Sequence, residues 1–464
     1  MGRRQIRLGA FLPGVGHHAA AWRHPKAQAD GGVNFKHYVR LAQTAERAKL
    51  DAVFLADGLA SRFSSYAAAV GKQGHGGNFE PVTLFSALSA LTSHIGFIAT
   101  GSTTYEDPYL LARKFASLDL ISGGRGGWNI VTTGSGEAAG NFGLDQHPDH
   151  ADRYDRAHEF HDVVVGLWDS WEDDAFLRDK ASGRFFDPEK SHALNHKGKY
   201  FKVRGPLNVA RSPQGRPVIV QAGASEAGRG FAARTAEVIF TAQQTLEDAQ
   251  SFYRDIKGRM PGFGRHPDQL KVMPGIFPVI GRTESEAKAK FEELQELILP
   301  EVGLSLLSGL IGGFDLTRYP IDGALPELPE TNNMKSRQAL MYDIARKRNF
   351  TIRDLYLWVA GARGHWTVIG TAAQIADQMQ AWFENEAADG FNLMPPVLPT
   401  GLDDIVEHLV PELRRRGLFR TEYEGTTLRE NLGLARPENR FALTKNRASE
   451  TEAATIPATG LVAV

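Results

Sequence analysis

Several polar clusters in this chain have the residue types to do chemistry. Behind a short apolar run that starts at Gly96 comes GSTTYEDPY, which brings Ser102, Thr103, Thr104, Tyr105, Glu106 and Asp107 together. A stretch that polar does not read as strand interior, so any chemistry belongs at the joint between the strand, 96–100, and the helix that Pro108 opens. In VIVQAGASEAGRGFA a buried-type strand leads through a small loop to Ser225 and an alanine-rich helix. Free backbone N–H groups and a hydroxyl at such a helix start suit an anion such as phosphate; the same serine also suits a plain helix cap. His150, Tyr154, His158 and His161 fall at i, i+4, i+8 and i+11, on one face of a helix expected over 149–168. A metal site would use one such face, but no Glu-x-x-His pair accompanies it. Ligand contact by His150 and Tyr154 and simple burial are the other readings. His17, His18, Trp22, Arg23 and His24 crowd the loop after the first strand, and Asp57 ends the second, where it could bind a ligand or cap a helix. Arg23, Arg62 and Arg125, near strand ends, could bind a carboxylated or sulfonated substrate; they could equally be scattered surface arginines.

Other chemistries are weak or excluded. Gly14-Val15-Gly16-His17-His18-Ala19 and Gly134-Ser135-Gly136-Glu137-Ala138-Ala139 match a dinucleotide fingerprint, but neither opens a long helix, so a Rossmann site is not expected. The absence of cysteine removes disulfides, thiolate metal ligands and a cysteine nucleophile together. A formal net charge of -1 provides no global field for nucleic acid or an anionic membrane. The arginines near the start precede an apolar run as in a signal peptide, yet Arg7, Pro13 and glycines break that run, and a first strand is the better reading. With no apolar run of membrane-spanning length, a soluble, cytoplasmic protein is expected.

The elements that must position these residues alternate. Strands are expected over 6–12, 52–55, 96–100, 127–133, 218–221, 236–241, 272–280 and 390–395, with helices between them and a small hairpin at HKGKYFKV. The 464 residues, 42% hydrophobic and 23% charged, can bury a large core. Strand and helix in alternation predict a mostly parallel sheet, and polar strand tips predict an α/β TIM (β/α)8 barrel with its site at the C-terminal mouth. One domain, 1–434, accounts for the barrel. Residues 302–366 fit no βα unit and are expected as an insertion forming a lid over that mouth, while 435–464 read as a flexible tail unless they dock on a partner subunit.

In order along the chain, GAFLPGVGHHAAAWRHP, VFLAD, TGSTTYEDPYLLARKFASLDLISGGRGGWNIVT, HADRYDRAHEF, VIVQAGASEAGR and DGFNLMP resemble the bacterial-luciferase-like flavin monooxygenases. The closer likeness is to the branch with nitrilotriacetate, EDTA, dibenzothiophene-sulfone and long-chain alkane monooxygenases. That resemblance implies a TIM barrel that takes reduced FMN from a separate NAD(P)H-dependent flavin reductase and uses O2 to oxygenate a small organic substrate. It assigns flavin contacts to Asp57, Ser102, Thr103, Asn129, His150, Tyr154 and Ser225. His17 or His18 could donate a hydrogen bond or proton to a peroxide oxygen, His17 being the catalytic candidate; His18, Trp22 and Arg23 fall on the substrate side. A carboxylated amine or thioether, with C–N or C–S cleavage, is favoured over an alkane. The resemblance further implies a homodimer or homotetramer and no metal. The alternatives are a deazaflavin-dependent oxidoreductase of the same fold, a non-catalytic flavin-binding protein and a zinc hydrolase.

Overall fold

A computed structural model describes residues 4–61, 66–74, 76–134, 136–331 and 335–443. Its strands in chain order are β1 (Arg7–Phe11), β2 (Ala52–Leu55), β3 (Gly96–Ser102), β4 (Gly126–Val131), β5 (His196–Lys197), β6 (Lys202–Val203), β7 (Val218–Gln221), β8 (Val238–Thr241), β9 (Lys271–Ile280), β10 (Trp366–Gly370) and β11 (Gly390–Leu393). Parallel pairing runs β1-β2-β3-β4-β7-β8-β9-β11 and returns to β1, which closes an eight-stranded barrel. The strands are apolar on both faces because one face looks into the barrel and the other carries helices. Inward, Phe11, Phe54, Ile98, Val220, Val238, Phe240 and Met273 fill the interior. Outward, Val53, Phe97, Trp128, Ile219 and Phe391 meet the surrounding helices.

Those helices are α1 (Phe35–Arg47), α2 (Pro81–Ser89), α3 (Pro108–Ile121), α4 (His150–Trp168), α5 (Glu226–Thr235), α6 (Leu246–Arg259), α7 (Glu284–Glu296), α8 (Pro300–Leu310), α9 (Lys335–Arg348), α10 (Ile352–Ala362) and α11 (Ala372–Glu384). Local sequence starts them. Asn34 caps α1 by accepting from His37 N, and Asp107 caps α3 with Pro108 in its first turn. Residues 196–203 form the expected hairpin, antiparallel β5 and β6.

Three features of the barrel differ from the sequence expectation. β3 runs on to Ser102, because glycine at 101 lets Trp128 Nε1 come close enough to donate to its carbonyl at 3.1 Å. β10, which the pattern did not suggest, pairs with the outer half of β9 and stands outside the ring; its alternating burial is that of a half-covered strand. The N-terminal floor is closed by the chain's own C-terminal region: Leu428, Leu432 and Leu434 pack into the bottom of the barrel, and glycine at 96 leaves room for Leu428. Arg420 ties that plug to Asp51 at 2.6 Å, both side chains buried.

Between α7 and β10, α8, α9 and α10 build their own apolar cluster through Leu307, Ile311, Met341, Tyr356 and Val359. It takes in Ala20 from the loop after β1, and Ala19 N donates to Ala360 O at 2.7 Å. This cluster therefore packs on the loop after β1. The tail expected to be flexible from 435 is instead held as far as Leu443. Asn439 Nδ2 donates to the Asp169 and Trp171 carbonyls, Arg436 pairs with Asp173 at 2.6 Å, and Phe441 stacks on His192. Residues 444–464 lie outside the described residues. Among the described residues no helix is long and apolar enough to cross a membrane.

Candidate functional site

Because every barrel strand points the same way, all their C-terminal ends share one mouth, and Asp57, Ser102, Thr103, Asn129 and Ser225 fall there together. Ser102 Oγ lies 2.7 Å from Thr133 Oγ1 and accepts from Thr104 N, which stitches the tip of β3 to that of β4. Thr103 is buried; its hydroxyl donates to Val131 O and its carbonyl accepts from Arg156. Asp57 is half-buried and accepts from Gly58 N; it caps no helix, since α2 starts later and is capped by Glu80. Asn129 points into the upper barrel, where Nδ2 donates to Thr100 Oγ1 at 2.9 Å while its buried Oδ1 has no hydrogen-bond partner.

Ser225 caps α5 by accepting from Gly228 N at 3.1 Å, so the cap reading holds. It does not exhaust the site. The N–H groups of Glu226 and Ala227 lie in the first turn, where no intrahelical acceptor reaches them. The loop before them is pressed close: a Cβ on Gly223 or on Gly228 would lie 3.0 Å from Tyr154 Oη. Tyr154 and its neighbour His150, ring centroids 4.8 Å apart, thus stand at the rim of a backbone nest on α5. A nest of N–H groups at a helix start, rimmed by a phenol, has the chemistry to hold a phosphate. Farther down α4, His158 Nδ1 meets Arg234 at 3.0 Å and His161 pairs with Asp162, both rings against Phe231.

The residues expected on the catalytic and substrate side separate. His17 is fully buried, its ring edge-on to Phe11 at 4.4 Å, and Nε2 donates to the Phe11 carbonyl at 2.9 Å, so Nδ1 is its acceptor nitrogen. His18 turns to α7. Its Nδ1 accepts from Ala20 N and its Nε2 donates to Gln295 Oε1, so both ring nitrogens are used to hold the loop and burial brings its pKa down to about 4. Trp22 packs against Gly74 and lines a cleft of about 290 Å³ between the loops after β1 and β2, which none of the residues expected to contact flavin lines. Arg23 is exposed and donates to Leu297 O at the surface. Arg125 is a correction: it precedes β4, at the floor, and all five N–H groups are taken by Ser122, Ile95, Ser89 and Thr92. Arg62 lies outside the described residues. Sequence reasoning missed the Gly223–Gly228 close approach, which the spacing of glycines around Ser225 could have signalled. It also missed His365, stacked on Phe240 at 4.6 Å, for which a single histidine far along the chain gives no signal.

Residues 15–389 match the family model described as luciferase-like monooxygenase. The chain belongs to that family. It is 54% identical over 442 residues, 95% of its own length and 99% of the relative's, to the N-acetyl-S-(2-succino)cysteine monooxygenase of Bacillus subtilis strain 168. Over 450 residues it is 51% identical to nitrilotriacetate monooxygenase component A of Aminobacter aminovorans, covering 95% of this chain and 98% of that one. Among solved structures, a riboflavin lyase with modified FMN and riboflavin superposes with a TM-score of 0.85 at 35% identity, covering 94% of this chain and 97% of that one. It is a monooxygenase of a flavin-dependent family, and the mouth fits such a cofactor. An orphaned acceptor on Asn129 could take an N–H from the isoalloxazine edge, and the α5 nest is open to a phosphate. Further round, Tyr105 Oη bonds His147 Nδ1 at 2.7 Å and stacks on Phe142, so an aromatic wall stands between β3 and α4.

Proposed function

We propose that this protein is the oxygenase component of a two-component system. It takes reduced FMN from a separate NAD(P)H-dependent flavin reductase, uses O2, and oxygenates a small carboxylated thioether or amine so that a C–S or C–N bond is cleaved. The observation that carries the reading is the α5 nest, with Tyr154 against Gly223 and Gly228, at the same mouth as the unpartnered Asn129 Oδ1. The two relatives named for N-acetyl-S-(2-succino)cysteine and nitrilotriacetate, both carboxylated molecules, support the substrate class.

Each residue then has a physical task. The Glu226 and Ala227 N–H groups, with Tyr154 and His150, hold the phosphate, and Ser225 fixes the helix start that presents them. Asn129, Asp57, Ser102 and Thr103 bound the ring's edge. Reduced FMN supplies the two electrons with which O2 places one oxygen atom on the substrate and loses the other as water. His17, oriented by the Phe11 carbonyl, is the proton donor and acceptor at the inner wall. The α8–α10 insertion acts as a lid that keeps bulk water from the mouth.

Purified protein, a flavin reductase, NADH and FMN are combined with N-acetyl-S-(2-succino)cysteine or nitrilotriacetate, and O2 uptake is followed with mass spectrometry of products. Substrate-dependent uptake with an oxygenated or cleaved product is expected. Turnover with reduced deazaflavin but not with reduced FMN would replace the proposal. A homodimer or homotetramer is expected in light scattering.

A further inference from the structure

We propose that Arg337 is the anchor for a substrate carboxylate and that His365 holds it in position; the inference rests on the reading of the chain as an oxygenase of carboxylated substrates. Arg337, on α9, donates from Nη2 to His365 Nε2 at 2.9 Å and from Nη1 to the Arg363 carbonyl at 2.8 Å. A guanidinium only donates, so Nε2 of His365 is the acceptor and the ring proton sits on Nδ1, 3.3 Å from the Thr241 carbonyl. His365 is therefore neutral. Burial pushes its pKa well below the ordinary value, and the charge of Arg337 acts in the same direction. Its ring lies flat on Phe240, 13° from parallel, and Phe240 touches Phe11 and Phe54 in the upper barrel. The pair thus stands at the wall of the mouth, on the side where Phe11 carries the ring of His17.

How other arginines in this chain are satisfied makes Arg337 unusual. Arg420 pairs with Asp51, Arg429 with Glu237 and Arg211 with Asp169. Arg125, which has no acid, spends all five N–H groups on five hydrogen bonds. Arg337 has neither solution. Among the described residues no carboxylate pairs with it, and two hydrogen bonds leave three of its five N–H groups for a ligand. Burial alone lowers its pKa, to about 10, so it keeps its charge near neutral pH. A part-buried guanidinium backed by a neutral imidazole and a carbonyl is a fork fixed in direction and short of an acceptor, and a carboxylate fits that fork bidentately. The phosphate nest belongs to α5, after β7, whereas this fork is attached to β8 and β10 through Thr241 and His365.

The test compares wild type with Arg337→Met and Arg337→Lys, using N-acetyl-S-(2-succino)cysteine and its fully methyl-esterified form. Binding to the purified protein is measured by calorimetry, and KM and kcat in the full two-component assay. Arg337→Met should weaken binding of the acid and raise its KM by roughly 10- to 100-fold, the size of one or two charge-assisted hydrogen bonds. Affinity for the ester and for reduced FMN should stay unchanged, kcat should hold, and Arg337→Lys should fall between. His365→Phe keeps the stack on Phe240 but removes the acceptor, and should raise KM by a smaller factor with kcat held. The proposal is overturned if wild type does not bind the acid, if the variant binds it as wild type does, if acid and ester lose equally, or if FMN affinity falls in step, which would mark Arg337 as a flavin phosphate ligand. Arginine-dependent binding without oxygenation would keep the anchor and refute the oxygenase reading; oxygenation with binding indifferent to Arg337 would do the reverse.

Discussion

Gly228→Ala tests the phosphate nest directly. A Cβ at 228 would lie 2.9 Å from the Gly223 backbone carbon and Cα and 3.0 Å from Tyr154 Oη. Backbone atoms cannot rotate aside. Restoring a carbon contact of about 3.5–4.0 Å requires the loop and the start of α5 to separate by roughly 0.6–1.1 Å. Two effects on stability oppose each other: alanine favours helix by about 1 kcal/mol, and overpacking costs about 1–3 kcal/mol, so the net loss should stay below about 2 kcal/mol. Ligand geometry is less forgiving. A shift of that size takes an N–H···O distance near 2.9 Å out of hydrogen-bonding range. Each charge-assisted bond lost costs about 1.5–3 kcal/mol, so binding of reduced FMN should weaken by roughly 10- to 100-fold. Anaerobic titration with reduced FMN and with reduced riboflavin, which lacks the phosphate, is the assay. Riboflavin affinity should be unchanged and the preference for FMN should collapse. A folded variant that keeps the wild-type FMN-to-riboflavin ratio refutes the assignment of the phosphate to this helix start.

His17→Ala should uncouple the enzyme: O2 uptake continues, product per O2 falls and peroxide accumulates, whereas an unchanged ratio removes His17 from the chemistry. Arg420→Met leaves the Asp51 carboxylate buried without its partner. A loss of about 3–5 kcal/mol in urea unfolding is expected, and less than about 1 kcal/mol would show that the plug does not depend on the pair. Asp119 is fully buried at the floor, accepts from Gly126 N and Gln214 Nε2, and is pushed up to about 6 by desolvation. Its folded pKa lies above the ordinary carboxylate value, so the folded state binds the proton more tightly, and this group's contribution to stability falls by roughly 3 kcal/mol as pH rises from about 4 to 6. Asp119→Asn should flatten that part of the profile in thermal unfolding scans across the window; an unchanged slope would mean that Asp119 is ionised in the fold throughout.

Much of the barrel could be read from the chain alone. β2 and β7 occupy the expected residues, because a strand buried on both faces is a continuous apolar run bounded by polar or glycine residues, and that signal is local. Helix starts at Pro108 and Ser225 were equally legible, since a first-turn proline or a cap is a signal carried by a few neighbouring residues. The parallel alternation also placed Asp57, Thr103 and Ser225 at one mouth, as strand direction alone decides which end a tip belongs to, whereas Asn129, inside its strand, came only with the family resemblance. Tertiary structure decided the rest. Near a strand end is not the same as near the mouth, and Arg125 fell at the floor because it precedes its strand. His18 and His17 are adjacent, yet one is spent on α7 and the other faces the inner wall, a difference set by the path of a loop pinned to α10. Leu428, Leu432 and Leu434 look like any apolar stretch until they close the barrel. Arg337 and His365 stand 28 residues apart, and their pairing exists only because α9, α10 and β10 fold back on one another. Local propensity fixes elements over a few residues; which side chains are left unsatisfied inside a cavity is a property of everything that surrounds it.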